Sequence, residues 1–135
     1  MTYKITLNSY DFSDKFLRLY AVACARAALA LIKNPDPRSI KAIDIAEAYA
    51  YGKATEAELA TAHENAYAAA TTAAYYAAAY YAASSAATAS VITAAYYAPA
   101  TAAKLNIDVD KILENMIKDH YTELELLVLY KGTAA

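Results

Sequence analysis

At 135 residues the chain has the length of one domain, burying about two-thirds of its unfolded surface, with no room for a second. Its net charge of −2 and pI near 5.6 supply none of the basic footprint of a nucleic-acid face, so no nucleic-acid partner is expected. Cys24 is the only cysteine and Gly52 and Gly132 the only glycines, which excludes an internal disulfide, a Cys-rich metal site and a Gly-rich phosphate loop.

Residues 1–12 read as an N-terminal arm. Tyr3, Ile5 and Leu7 alternate with Lys4 and Thr6 at the period of a half-buried strand, and an extended arm fits as well. The opening has neither the apolar core nor the small-residue cleavage site of a signal peptide; with the lone cysteine, this points to a cytoplasmic location. A helix is expected over 13–33, with Ser13 as N-cap and Asp14 in the first turn. At about 100° per residue, Asp14, Lys15, Arg18, Arg26 and Lys33 share about a third of its circumference. Phe16, Tyr20, Ala23, Ala27 and Leu31 lie opposite, and Asp14 with Arg18 forms an i,i+4 pair.

The next helix, 37–51, is clearly punctuated: Asp36 as N-cap, Pro37 at N1 and Gly52 where positive φ is wanted. Asp44 and Glu47 interrupt its apolar face between Ile40, Ile43 and Tyr51. They belong either to a partly wet boundary, the simpler reading, or to a structural pairing with Arg18 or Arg26 across two helices. Thr55 and Glu58 then form a capping box, opening a long helix over 55–98. His63 follows Leu59 and precedes Tyr67 at i,i+4 spacing, the setting of a hydrogen-bonded structural histidine.

The centre of the chain, Asn65 to Ala103, carries no charge and is built almost wholly of Ala, Tyr, Thr and Ser. Ala makes it helical, and its tyrosines are spread around the whole circumference, so such a helix must be surrounded. Although long enough to span a bilayer, it has few of the Leu, Ile, Val and Phe of a membrane span and no flanking Lys/Arg cluster, so no membrane role is expected. Ser84-Ser85 is the expected point of a kink or break, and Pro99 the expected end. Tyr75, Tyr76, Tyr80, Tyr81, Tyr96 and Tyr97 are the candidate binding residues, as core or as interface, with core the better single guess for the first four.

The C-terminal helical segment, 108–131, begins with Asp108 as cap and a buried stripe of Val109, Ile112, Leu113, Met116, Ile117 and Tyr121, with Glu114 and Lys118 paired outside. Thr122 and Glu125 resemble a second capping box, which favours helix, yet Leu126 to Tyr130 would also serve as a strand beside residues 3–7. The excess of acids in this third reads as a solvated face, with docking of a basic partner as the alternative. The fold expected is therefore all-α: a compact helical bundle around a long Ala/Tyr-rich central helix. No catalytic constellation is written in it. Cys24 points to the apolar side of its helix, neither His63 nor His120 has a zinc-ligand spacing, and no metal or cofactor is expected.

Three motifs in order carry a resemblance. They are Arg18-Leu19-Tyr20-Ala21-Val22-Ala23-Cys24-Ala25-Arg26, Asn34-Pro35-Asp36-Pro37-Arg38-Ser39, and the run Asp44 to Leu59 leading into the Ala/aromatic helix. Over about Asp14 to Ala83 the chain resembles the immunity-5-like family, Ala-rich helical immunity proteins of bacteria, phages and prophages, and its opening is similar to that of phage-borne members. Members typically have Trp where this chain has Ala23, and break the Ala run with Asp, Arg and Trp; here Tyr replaces Trp and the charges are missing. The resemblance implies a non-catalytic inhibitor that occludes a protein partner, either a toxin or a host defence protein. A self-associating homo-oligomer and a sponge for a small ligand are the alternatives.

Overall fold

The computed structural model describes residues 2–132; Met1, the first residue of the opening, and residues 133–135 of the expected domain lie outside the described residues. The chain is all-helical: α1 (Tyr3–Ser9), α2 (Asp14–Leu29), α3 (Pro37–Ala50), α4 (Glu56–Thr72), α5 (Ala77–Ala86), α6 (Val91–Ala103), α7 (Val109–His120) and α8 (Glu123–Leu129). Helix α5 lies in the middle, packed against α2, α3, α4 and α6. Of the uncharged stretch expected to be surrounded, α5 is, whereas Tyr67, Tyr75, Tyr76, Ile92 and Tyr97 stay exposed. No helix of the described residues is long and apolar enough to cross a membrane.

The core is made of alanine faces. Ala21, Ala25 and Ala28 of α2, Ala79, Ala82, Ala83 and Ala86 of α5, and Ala94, Ala98 and Ala102 of α6 are buried. Methyl-sized side chains let these helix backbones approach closely, and Tyr20, Ile43, Leu59 and Leu113 fill the spaces between layers. The Tyr20 hydroxyl donates to the Val109 carbonyl at 2.9 Å, tying α7 to the bundle without leaving a buried polar atom unpaired.

Four expectations are corrected here. The opening is a helix, not a strand or arm: Thr2 caps it by accepting from the Ile5 N–H, and Tyr3 and Leu7, four apart, both bury while Ile5 stays exposed. The α2 helix stops at Leu29 instead of Lys33, since the Leu31 and Ile32 N–H groups bond carbonyls three residues back and tighten the turn, leaving Leu31 exposed. The long helix over 55–98 is three helices. Ser84 and Ser85 stay inside α5, and the breaks fall at 73–76 and 87–90. Pro99 does not end α6 but sits fully buried within it, where Ala94, Ala95, Ala98 and Ala102 pack inward and outweigh the lost backbone bond.

The two chain ends clasp each other. Asp11 N–H donates to Leu129 O and Lys131 N–H to Ser9 O, both at 2.8 Å, around a single antiparallel bridge between Tyr10 and Tyr130. Residues 123–129 are nonetheless helical, and the capping box at Thr122 and Glu125 is formed. Beneath the clasp, Phe12, Phe16 and Tyr121 pack ring to ring at centroid separations of 4.7 to 5.5 Å.

Candidate binding surface

The uncharged stretch supplies both the centre of the bundle and a large part of its tyrosine-bearing surface. Tyr80 is core, 9% exposed, and its hydroxyl accepts from the Asp36 N–H at 3.1 Å, which ties α5 to the start of α3. Tyr81 is half-buried and meets the exposed Tyr67 edge-on at 6.0 Å. Tyr96 is half-buried too, its hydroxyl donating to the Asn8 side-chain carbonyl and so fastening α1 to α6.

The remaining candidates face outward. Tyr75 is 81% exposed at the α4–α5 corner, and Tyr76 beside it is half exposed. Tyr76 has φ 58° and ψ 34°, a left-handed conformation that costs a non-glycine residue about 1 kcal/mol or more, and no side chain caps α5 there. On α6, Tyr97 (61% exposed) and Ile92 stand clear of the core. With Lys4 of α1, Thr93, Tyr96 and Ala100 they line an open groove of about 360 Å³. The guess that the first four tyrosines are core therefore holds for Tyr80, while Tyr75 and Tyr76 are surface. Sequence reasoning did not single out Ile92 or its neighbour Lys4, because the two lie far apart in the chain and only the packing of α1 on α6 brings them together.

His63 and Ser84 are the one pair here that invites a catalytic reading. The His63 Nδ1 lies 2.8 Å from the Ser84 carbonyl oxygen, which can only accept, so Nδ1 carries the hydrogen. The Ser84 hydroxyl, 3.4 Å from the same nitrogen, faces an N–H and not a lone pair, and Ser84 is buried. No base is presented to the hydroxyl by this geometry. Instead, His63 bonds α4 to α5 and stacks on Tyr67. Cys24 is fully buried; burial pushes its thiol up to about 12, against a weaker opposing influence of the neighbouring Tyr20 side chain, so it holds its proton at neutral pH. Among the described residues no group of three His, Cys, Asp or Glu side chains is placed to hold a metal ion.

The pairing residues separate. Arg26 of α2 forks onto α3, donating to Glu47 at 2.6 Å and Asp44 at 3.0 Å. The cross-helix pairing with Arg26 thus forms, and it does so on a partly wet boundary: all three side chains are about half exposed, and such a pair contributes little. Arg18 does not join it. Expected on the charged face of α2, it is buried and donates to the carbonyls of Ala86, Thr88 and Ala89, with the Tyr49 ring 5.4 Å away. These are orphan carbonyls at and just past the C-terminal end of α5, where a cation also complements the macrodipole. Desolvation lowers the Arg18 pKa, from a starting value so high that the guanidinium stays charged.

The molecule is thus an α-helical bundle whose uncharged stretch forms a buried alanine centre and also exposes Tyr67, Tyr75, Tyr76 and Tyr97. Comparisons with protein-family models, curated proteins and solved structures find no match to this chain.

Proposed function

We propose that this protein is a non-catalytic binding protein that occludes a protein partner with the exposed tyrosines of its uncharged segment. The observation that carries this reading is the exposure of Tyr67 on α4, Tyr75 and Tyr76 at the α4–α5 corner, and Ile92 and Tyr97 on α6, on a frame of buried alanine faces. Tyr supplies large contact area at low entropic cost and is enriched among residues that dominate binding energy. The absence of charge in the segment favours an apolar contact over electrostatic capture, which argues against nucleic acid. In the finer form suggested by the resemblance to immunity proteins, the partner is a toxin or a host defence protein in the cytoplasm of a bacterial or phage-infected cell. A second reading is self-association, favoured by the same lack of charge. The test is capture from host lysate, and from cells co-expressing the genes beside this one, with the solution mass recorded on the same sample. One stoichiometric foreign protein supports occlusion; capture of none, from lysate or from the co-expressing cells, overturns it.

A further inference from the structure

Residues 123–130, expected as a helix or as a strand beside residues 3–7, form helix α8 over Glu123–Leu129, with apolar side chains facing both inward and outward. Its inner residues Leu126 and Leu129 pack on the core, while Leu124, Leu127 and Val128 stand outward, 72%, 74% and 80% exposed. Their spacing of i, i+3 and i+4 makes one ridge. That ridge is held in place at both ends, by the Thr122–Glu125 capping box before it and the Tyr10–Tyr130 bridge after it. Such a fixed apolar face offers on the order of 400 Å², within the range where the largest patch on a monomer is often functional.

We infer that α8 pairs with α8 of a second copy, antiparallel about a two-fold axis near Leu127 and Val128. Of the charges flanking the ridge, Glu125 is engaged in the capping box with Thr122, and Glu123 and Lys131 are self-complementary. Glu123 lies at its start and Lys131 just past its end, and neither makes an ion pair among the described residues. An antiparallel pairing sets Leu127 on the copy's Val128 and brings each Glu123 beside the copy's Lys131. A parallel pairing would instead place like charges together. With Tyr130 and the flanking charged stems included, the contact buries on the order of 1,000 Å² in total, the lower bound for a specific interface, so the dimer is a weak, concentration-dependent one. Two-fold pairing is closed, which accounts for one exposed ridge per chain without open-ended assembly. This dimer is independent of the tyrosine surface.

Sedimentation equilibrium of the full chain, from low micromolar to near-millimolar concentration, tests it. The expected result is a monomer–dimer equilibrium whose dissociation constant rises at least about tenfold in Leu127→Asp. Glu123→Lys and Lys131→Glu should each weaken the dimer, and the two together should restore it. Should Leu127→Asp fail to fold, the charge exchange alone decides, since both residues are exposed. A monomer at every concentration overturns the inference, whether or not it then floats with phosphatidylcholine vesicles, as does a double exchange that leaves the dimer weak.

Discussion

Arg18 joins the middle of α2 to the end of α5 through three main-chain carbonyls, and nothing else among the described residues donates to them from a side chain. Removing it leaves those acceptors at least partly dry. Arg18→Ala is expected to destabilise the fold by about 3 kcal/mol in urea denaturation. Lys should not rescue it, because a single ammonium cannot reproduce a guanidinium fork spread over several oxygens. A Lys variant with wild-type stability would show that charge, and not the fork, matters at this position. Tyr80 makes a different case, because its ring and its hydroxyl can be separated. Tyr80→Ala should cost about 3 to 5 kcal/mol by analogy with other large-ring deletions. Tyr80→Phe should cost about 1 kcal/mol, from the Asp36 N–H left without its partner. The burial of Tyr80 could not be separated from the exposure of Tyr75 by sequence, since Ala neighbours on every side give a tyrosine no apolar stripe to belong to.

At the scale of the element, the breaks in the uncharged stretch were written in threonine and serine, but not where the serine pair suggested. Thr71 and Thr72 both donate to the Ala68 carbonyl, a local bond that competes with helix continuation, and α4 ends there. Ser90 accepts from the Thr93 N–H and opens α6, whereas Ser84 and Ser85 have no such role. The helices framed by Asp36-Pro37, Gly52, Thr55-Glu58, Asp108 and Thr122-Glu125 were legible from their caps, because capping chemistry is local. Arg18 was not legible, since its partners lie 68 to 71 residues away and are main-chain atoms that no sequence pattern marks. The corner that starts α5 carries a prediction of its own. Tyr76→Gly removes the left-handed strain and should raise stability, by about 1 kcal/mol, in thermal or urea unfolding. A loss of stability instead would mean that the Tyr76 ring holds the corner.

For the whole molecule, the pH response follows from carboxylates at its surface. Hydrogen bonds from Arg38, Arg26 and Lys118 hold Asp36, Glu47 and Glu114 below their ordinary range, and the Thr122 N–H does the same for Glu125. A depressed folded pKa adds stability above the unfolded value, lost as pH falls through the folded one. Melting temperature should therefore be flat from neutral pH down to about 5 and decline below about 4. The decline is shallow, because the groups are exposed or nearly so. A steep loss between neutral pH and 5 would assign control of stability to some other group. At this scale the bundle was legible from composition and periodicity. The outward ridge of α8 was not, because Leu126 and Leu127 look alike in sequence until the clasp of the chain ends decides which one faces in.

Tyr80 holds the fold, whereas Tyr97 with Ile92 is proposed to meet a partner, and comparing two variants measures that division directly. Ile92→Ala with Tyr97→Ala should leave the melting curve within about 0.5 kcal/mol of wild type, as surface changes do. It should also lower the yield of the captured partner, read by quantitative mass spectrometry, by at least about tenfold. Tyr80→Phe should do the reverse, lowering the melt and sparing the capture. Undiminished capture by the Ile92 and Tyr97 variant would contradict the claim that this surface carries the function.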